Sequence, residues 1–435
     1  MSSNIHFFVI LVLNFFLSAT YSMPFSIFPL IASNKGVSHS LIGLIFSVFP
    51  LGSIIPSLIF AKMMKVWGRI KLLFISCLLL GISTILFGLL DRIDSTSVFL
   101  ALAITSRIVQ GMACGGFCTV AYAIIALLYR DSLIKKQTFM VLSFTVGVGL
   151  GPIIGGGLYE IFNYEVANYV FAGVAFSSLP TLLLLPSAAD GQVEEGESST
   201  KISNFILNRR YAATIALIVI NFSGFTFIYV SLEEHLKEFG SGPIITGFFI
   251  AELTMSYFLS MILLNFLSKK VDRRIWLILG TMIEFLSFFF VGPDPYLISK
   301  ESPVLYYFIG LGIFLCGFGG GLSILPILPE LIDIGRIHIS LDDEAVGDVA
   351  SACNNIGFQI GEFLGPILGG VFGEWIGFGH GASLFGGIVL GYAAVYLVAG
   401  GGWEAFGRKR RASSANVIMQ MKEVELEHGR RLLNS

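Results

Sequence analysis

Charge is what this sequence has least of: charged residues make up 13% of its 435 residues against 55% hydrophobic, and the mean hydropathy is +0.82. A soluble domain keeps its surface wet with roughly a quarter of its residues charged, so a soluble globule is excluded and a polytopic membrane protein implied. Neither sign dominates. The net charge of −2 and an isoelectric point near 6.3 exclude a nucleic-acid partner. Histidine and cysteine are sparse too. His6, His39, His235, His338, His380 and His428 fall on termini and loop edges, with His235 beside Glu234 and Lys237 at a surface; Cys77, Cys114, Cys118, Cys316 and Cys353 lie in apolar runs. They form no Ser/His/Asp, Cys/His or metal-ligand constellation, so no enzyme, metal, cofactor or disulfide framework is expected. Cys114 and Cys118, four apart on one helix face, read as small buried residues.

Long apolar runs are present in abundance. At about 20 residues per crossing, twelve spans are expected, near 5–33, 40–62, 71–91, 97–128, 137–162, 166–186, 210–235, 244–267, 275–292, 303–332, 346–372 and 380–402. The four residues before the first span hold no charged segment, and no small-residue cleavage site follows it, so the first helix is expected to be retained. Two stretches read as free loops: 187–208, with Asp190, Glu194, Glu195 and Glu197, and the tail from Arg408. The chain divides into a six-span half (1–186), a central loop (187–208), a second six-span half (209–407) and a tail (408–435).

Basic residues cluster on alternate loops: Lys62, Lys65, Arg69 and Lys71; Arg130, Lys135 and Lys136; Lys201, Arg209 and Arg210; Lys269, Lys270, Arg273 and Arg274; Arg336; and Arg408–Arg411. Only Lys35, Arg92, Lys237 and Lys300 fall on the other side. The positive-inside rule then puts both termini and the central loop in the cytosol.

Span five contains Gly147, Gly151-Pro152 and Gly155-Gly156. Glycines four apart flatten one helix face so that another backbone can approach, and a proline bends it. The same pattern returns in span eleven as Gly361, Gly365-Pro366 and Gly369-Gly370, and the same offset carries Glu160 onto Glu374. The repeat argues for a duplicated all-α membrane protein with two pseudo-symmetric six-helix halves. Such repeats place a substrate cavity at their interface near mid-membrane.

Here the chain resembles the major facilitator superfamily. Arg107-Ile108-Val109-Gln110-Gly111 in span four is similar to that family's Arg-x-x-Gln-Gly motif, whose arginine is implicated in proton coupling; a structural arginine tying helices together is the alternative. Lys65 to Lys71, with Gly68 and Arg69, resembles the cytosolic loop between spans two and three, with Lys65 and Ala61 where Asp and Gly are usual. Lys269–Arg274, with Asp272 and Arg273, is its second-half counterpart. Both serve either as gate elements or as positive-inside anchors. The span-five glycines resemble the antiporter motif of drug:proton exchangers.

Span seven places Phe225, Tyr229 and Glu233 four apart on one face, suited to hold an organic cation by charge and cation–π attraction. Ser231–Leu236 resembles an element of the vesicular amine transporters, with Glu234 where proline is usual; an interfacial Glu233 is the bland alternative. Glu252, Glu284, Glu330 and Glu362 also lie in apolar spans. A carboxyl in low dielectric can cycle between neutral and charged forms, as proton coupling requires. Glu362 and Glu252 rank next to Glu233, with Tyr257 and Tyr21 as further substrate contacts. Glu284 reads as structural, because span nine of this fold lies outside the cavity, and Glu330 as part of a gate.

Leu89–Arg92 and Gly157–Val166 resemble the vesicular polyamine transporter branch. The aspartates of the monoamine and acetylcholine carriers have no counterpart; Leu17, Leu322 and Asn355 stand at the approximate positions. The resemblance implies a monomeric carrier that exchanges protons for a polyamine or related organic cation across a vesicular membrane. A plasma-membrane exporter of drugs or metabolites is the alternative, and a transporter-like sensor a more distant one.

Overall fold

The computed structural model describes residues 2–129, 132–186, 207–267, 271–292, 304–338 and 343–403. The acidic stretch of the central loop, the tail, Arg130, Lys269, Lys270 and Lys300 lie outside the described residues, as does the side chain of Lys65. The first half contains α1 (Ser2–Ser22), α2 (Pro24–Asn34), α3 (His39–Trp67), α4 (Arg69–Gly88), α5 (Thr96–Leu128), α6 (Leu133–Ile161) and α7 (Tyr164–Ser177). The second contains α8 (Arg209–Lys237), α9 (Pro243–Leu267), α10 (Arg273–Val291), α11 (Val304–Ile324), α12 (Ile327–His338), α13 (Asp343–Ile376) and α14 (Phe378–Ala399). Among the described residues, twelve helical stretches are long and apolar enough to cross a membrane, in accord with the expected twelve.

Three expected spans are less regular than read, each at a proline. The first breaks at Met23, before Pro24, into α1 and α2. The sixth is α-helical only to Ser177 and continues as a 3-10 turn, Leu179–Leu184, that includes Pro180. The tenth divides into α11 and α12 across Leu325 and Pro326. Proline offers no N–H and clashes with the preceding turn, which leaves these breaks. Other ends are set by side-chain caps. Asn163 Oδ1 accepts from Val166 N at 2.8 Å, and Asn208 Oδ1 from Arg210 N and Tyr211 N at 3.0 and 3.2 Å.

The two glycine stripes do equivalent work. A Cβ on Gly147, Gly151 or Gly155 would run into Ser18, Ser22 or Met23, so α6 lies directly on α1 and the break after it. A Cβ on Gly361, Gly365 or Gly369 would collide with Val219, Thr226 or Ser231 of α8. The last glycine of each stripe instead faces the opposite half: Gly156 abuts Pro243 and Ile244 of α9, and Gly370 abuts His39 and Ser40 of α3. Beyond each stripe a glutamate caps the helix it has reached. Glu160 Oε1 accepts from Ile244 N at 3.0 Å, and Glu374 Oε2 accepts from Ser40 N at 2.9 Å. A carboxylate there meets the positive end of the helix dipole.

Candidate functional site

The halves are joined by hydrogen bonds that gather towards the face holding residues 33–40, 234–244 and 374. Ser33 Oγ donates to Glu234 Oε1, and His39 pairs with Glu234 Oε2. Lys237 Nζ donates to Asn34 Oδ1 at 3.1 Å. The reciprocal caps of Glu160 and Glu374 lie on this same face. Deeper in, Ser53 Oγ donates to Gln359 Oε1 at 3.1 Å. At mid-span, Tyr21 Oη donates to Glu362 Oε1 at 2.6 Å, a phenol of the first half on a carboxylate of the second.

Around that bond stands a cage of rings. Tyr21 lies 4.6 Å from Phe49 and 5.3 Å from Phe25, and Phe25 stacks on Tyr229 at 5.1 Å with an interplanar angle of 18°. Below it Arg107 is 0% exposed, with its guanidinium carbon 4.9 Å from the ring centroids of both Phe46 and Phe49. Arg107 Nη1 donates to Gln110 Oε1 at 3.1 Å, while Nε and Nη2 are buried without a partner among the described residues. A permanent charge so sparsely paired is sustained by the ring faces of Phe46 and Phe49.

The sequence candidates are not all brought together. Arg107, Tyr21, Tyr229 and Glu362 converge. Phe225 packs edge-on to Tyr257 at 5.7 Å, on the α8 side of the same wall. Glu233 does share a face with Tyr229, yet its carboxylate is 1% exposed and accepts from Thr246 Oγ1 of α9, nearer the closed face. Half-buried Glu252 lies against Gly310 of α11, in the seam between α9 and α11. His235, expected near a surface, is 7% exposed and stacks on Phe378 at 4.3 Å. The sequence reading missed Phe25, Phe46, Phe49 and Ser53. An aromatic within an apolar run gives no signal of its own.

On the opposite, basic side the gate candidates are ordered. Gly68, at φ +78°, makes the turn between α3 and α4, and Arg69 is buried behind it. Asp272 Oδ1 caps α10 through Arg274 N at 3.0 Å, and Arg273 pairs with Asp333. Glu330 is held by Arg210 at 2.5 Å and Arg274 at 3.1 Å.

The Major Facilitator Superfamily profile matches residues 10–333, more than half of the chain. The MFS-type transporter SLC18B1 of Mus musculus is 29% identical over 410 residues, covering 92% of this chain and 86% of that protein. The synaptic vesicular amine transporter of Rattus norvegicus is 22% identical over 320 residues, 72% of this chain and 57% of its own length. Among solved structures, a bacterial homologue of the human lysosomal transporter Spinster, inward-facing and unoccupied, superimposes with a TM-score of 0.72 at 13% identity, covering 94% of this chain and 99% of that one. The nucleoside transporter NupG does so with 0.72 at 13% identity, over 90% and 98%. The all-helical architecture with twelve membrane-length stretches in two six-helix halves agrees with the profile match, and the chain belongs to the Major Facilitator Superfamily.

Proposed function

We propose that the protein is a proton-coupled antiporter that moves an organic cation, a polyamine or related amine, from cytosol into a vesicular compartment. The observation that carries this reading is the Tyr21–Glu362 bond between the halves, ringed by aromatics and set above Arg107. A carboxylate inside an aromatic cage suits an ammonium group, and the same carboxylate takes up a proton when the ammonium leaves. Arg107 opposes the simultaneous presence of both positive charges. The vesicular amine transporter among the relatives favours an amine as cargo. Both termini are taken as cytosolic, so the fastened face is lumenal and the site is reached from the cytosol. Glu233, sealed near that face, takes the proton or the cation when the face opens, and Glu252 stands behind it in the α9–α11 seam.

One pH unit is worth about 1.4 kcal/mol per proton, so two exchanged protons sustain roughly hundredfold accumulation. The test is reconstitution into acid-inside liposomes with labelled spermidine, serotonin and a drug cation. Uptake of at least one is expected to collapse when an ionophore dissipates the gradient; uptake indifferent to the ionophore would overturn the reading. Glu362→Gln is expected to lower gradient-driven uptake more than tenfold while the protein remains folded.

A further inference from the structure

Behind span seven, away from the Tyr21–Glu362 pair, lies a carboxyl that the exchange cycle does not use. Glu284 of α10 is 0% exposed, and among the described residues neither of its oxygens has a hydrogen-bond partner. On one side it meets bare backbone of α8: a Cβ on Gly224 would lie 2.5 Å from Glu284 Oε1 and 3.1 Å from the Phe288 ring. On the other, a Cβ on Gly319 of α11 would lie 2.8 Å from Glu284 N. The seam holds a second orphan. Asn221 Nδ2 donates to Thr281 Oγ1 at 3.0 Å, yet Asn221 Oδ1 is buried with no partner among the described residues. Asn221 and Gly224 are one turn apart on α8, as are Thr281 and Glu284 on α10, so the orphaned carboxyl and the orphaned amide oxygen occupy adjacent rungs of one seam.

Among the described residues, the groups facing Glu284 carry no charge. Asn221 comes from α8, Thr281 and Ser287 from α10 itself, and the Cys316 thiol from α11. Ser287 Oγ is already committed to the Glu284 carbonyl at 2.6 Å, and the Thr281 hydroxyl to the Leu277 carbonyl at 2.8 Å. Two acceptors thus go unmet although a weak S–H donor of Cys316 and the second Asn221 N–H are in the seam: neither makes a hydrogen bond to them. An ionised carboxylate there, dry and unpaired, is strongly disfavoured. A metal ion would need several oxygens at fixed distances and room that the close glycine contacts do not leave. A single proton satisfies both orphans.

We propose that Glu284 is a resident protonation site, a neutral carboxylic acid that donates to Asn221 Oδ1 and keeps its proton through the transport cycle. It acts as a positioning residue. By clamping α10 to the back of α8, it fixes the face that turns Phe225 and Tyr229 towards the cage.

The test is infrared spectroscopy of the full-length protein in lipid nanodiscs, a readout that stands whether or not the chain proves to exchange protons for amines. A protonated-carboxyl band is expected to persist across about pH 5 to 9, to vanish in Glu284→Gln and to move to higher frequency in Asn221→Leu, where its acceptor is gone. In acid-inside liposomes, Glu284→Gln is expected to keep uptake and its pH profile within about twofold, because an amide N–H replaces the acid donor; Glu284→Leu should lose both. Persistence of every such band in Glu284→Gln would show the group ionised and overturn the proposal. So would loss of gradient-driven uptake in a Glu284→Gln protein of unchanged Tm, because the proton would then be a translocated one. A band that responds to exchange of potassium for sodium would overturn it in favour of a cation site. Should Glu284→Gln fail to fold, the Asn221→Leu shift decides alone.

Discussion

A guanidinium sealed between the faces of Phe46 and Phe49 cannot be exchanged for an ammonium of equal charge. Lysine is a compact, strongly hydrated point charge and has no planar group to lie between rings. Arg107→Lys is therefore expected to cut gradient-driven uptake at least tenfold with little change in Tm; wild-type uptake by this variant would remove the guanidinium from the coupling step. Arg107 and Glu362 were legible in the sequence because a charge inside an apolar run stands out energetically. Their surroundings were not. Forty phenylalanines are spread through the chain, and nothing local distinguishes Phe49, at the cage, from Phe99, packed in the core. Likewise the regular spacing of Phe225, Tyr229 and Glu233 fixed a shared helix face but not that Thr246 would engage the last of them.

The glycine stripes show what a helix can and cannot reveal about itself. Their spacing disclosed two flat faces and a duplication; it could not say that each stripe changes partner at its final glycine, because periodicity names a face and not what lies opposite. Gly151→Ala would press a methyl group against Ser22 and the Ala19 carbonyl. Overpacking of this kind costs about 1–3 kcal/mol, so a clear fall in Tm is expected, and Gly365→Ala should fall similarly. Gly173→Ala, where a Cβ meets nothing within 4 Å, serves as the control and should hold or raise Tm, because alanine favours a helix more than glycine does; an equal loss there would detach the effect from contact. The paired caps make a separate prediction. Glu160→Gln and Glu374→Gln each keep an acceptor oxygen but remove the cap's charge, worth roughly 0.3–1 kcal/mol. Together they should open the fastened face more often, read as faster labelling of a cysteine placed at Ser40. Unchanged labelling would mean that Glu234 and its partners hold that face unaided.

Over the whole molecule, twelve spans in two halves were legible because the bilayer imposes one length and one polarity on every crossing. What joins the halves was not, since it depends on pairs far apart in sequence. Tyr21 and Glu362 are the clearest case. If Glu362 receives the cation as proposed, their bond gives the unloaded carrier an occupant of its own: the phenol sits where the ammonium would go, and the cargo competes with a side chain of the protein itself. Any measured affinity is then a difference between two interactions. Tyr21→Phe should tighten equilibrium binding of the cation, by roughly tenfold if the lost bond was worth about 1.5 kcal/mol, while slowing its release. A protein that binds better and delivers less would be the signature of a tyrosine that works as the carrier's built-in competitor.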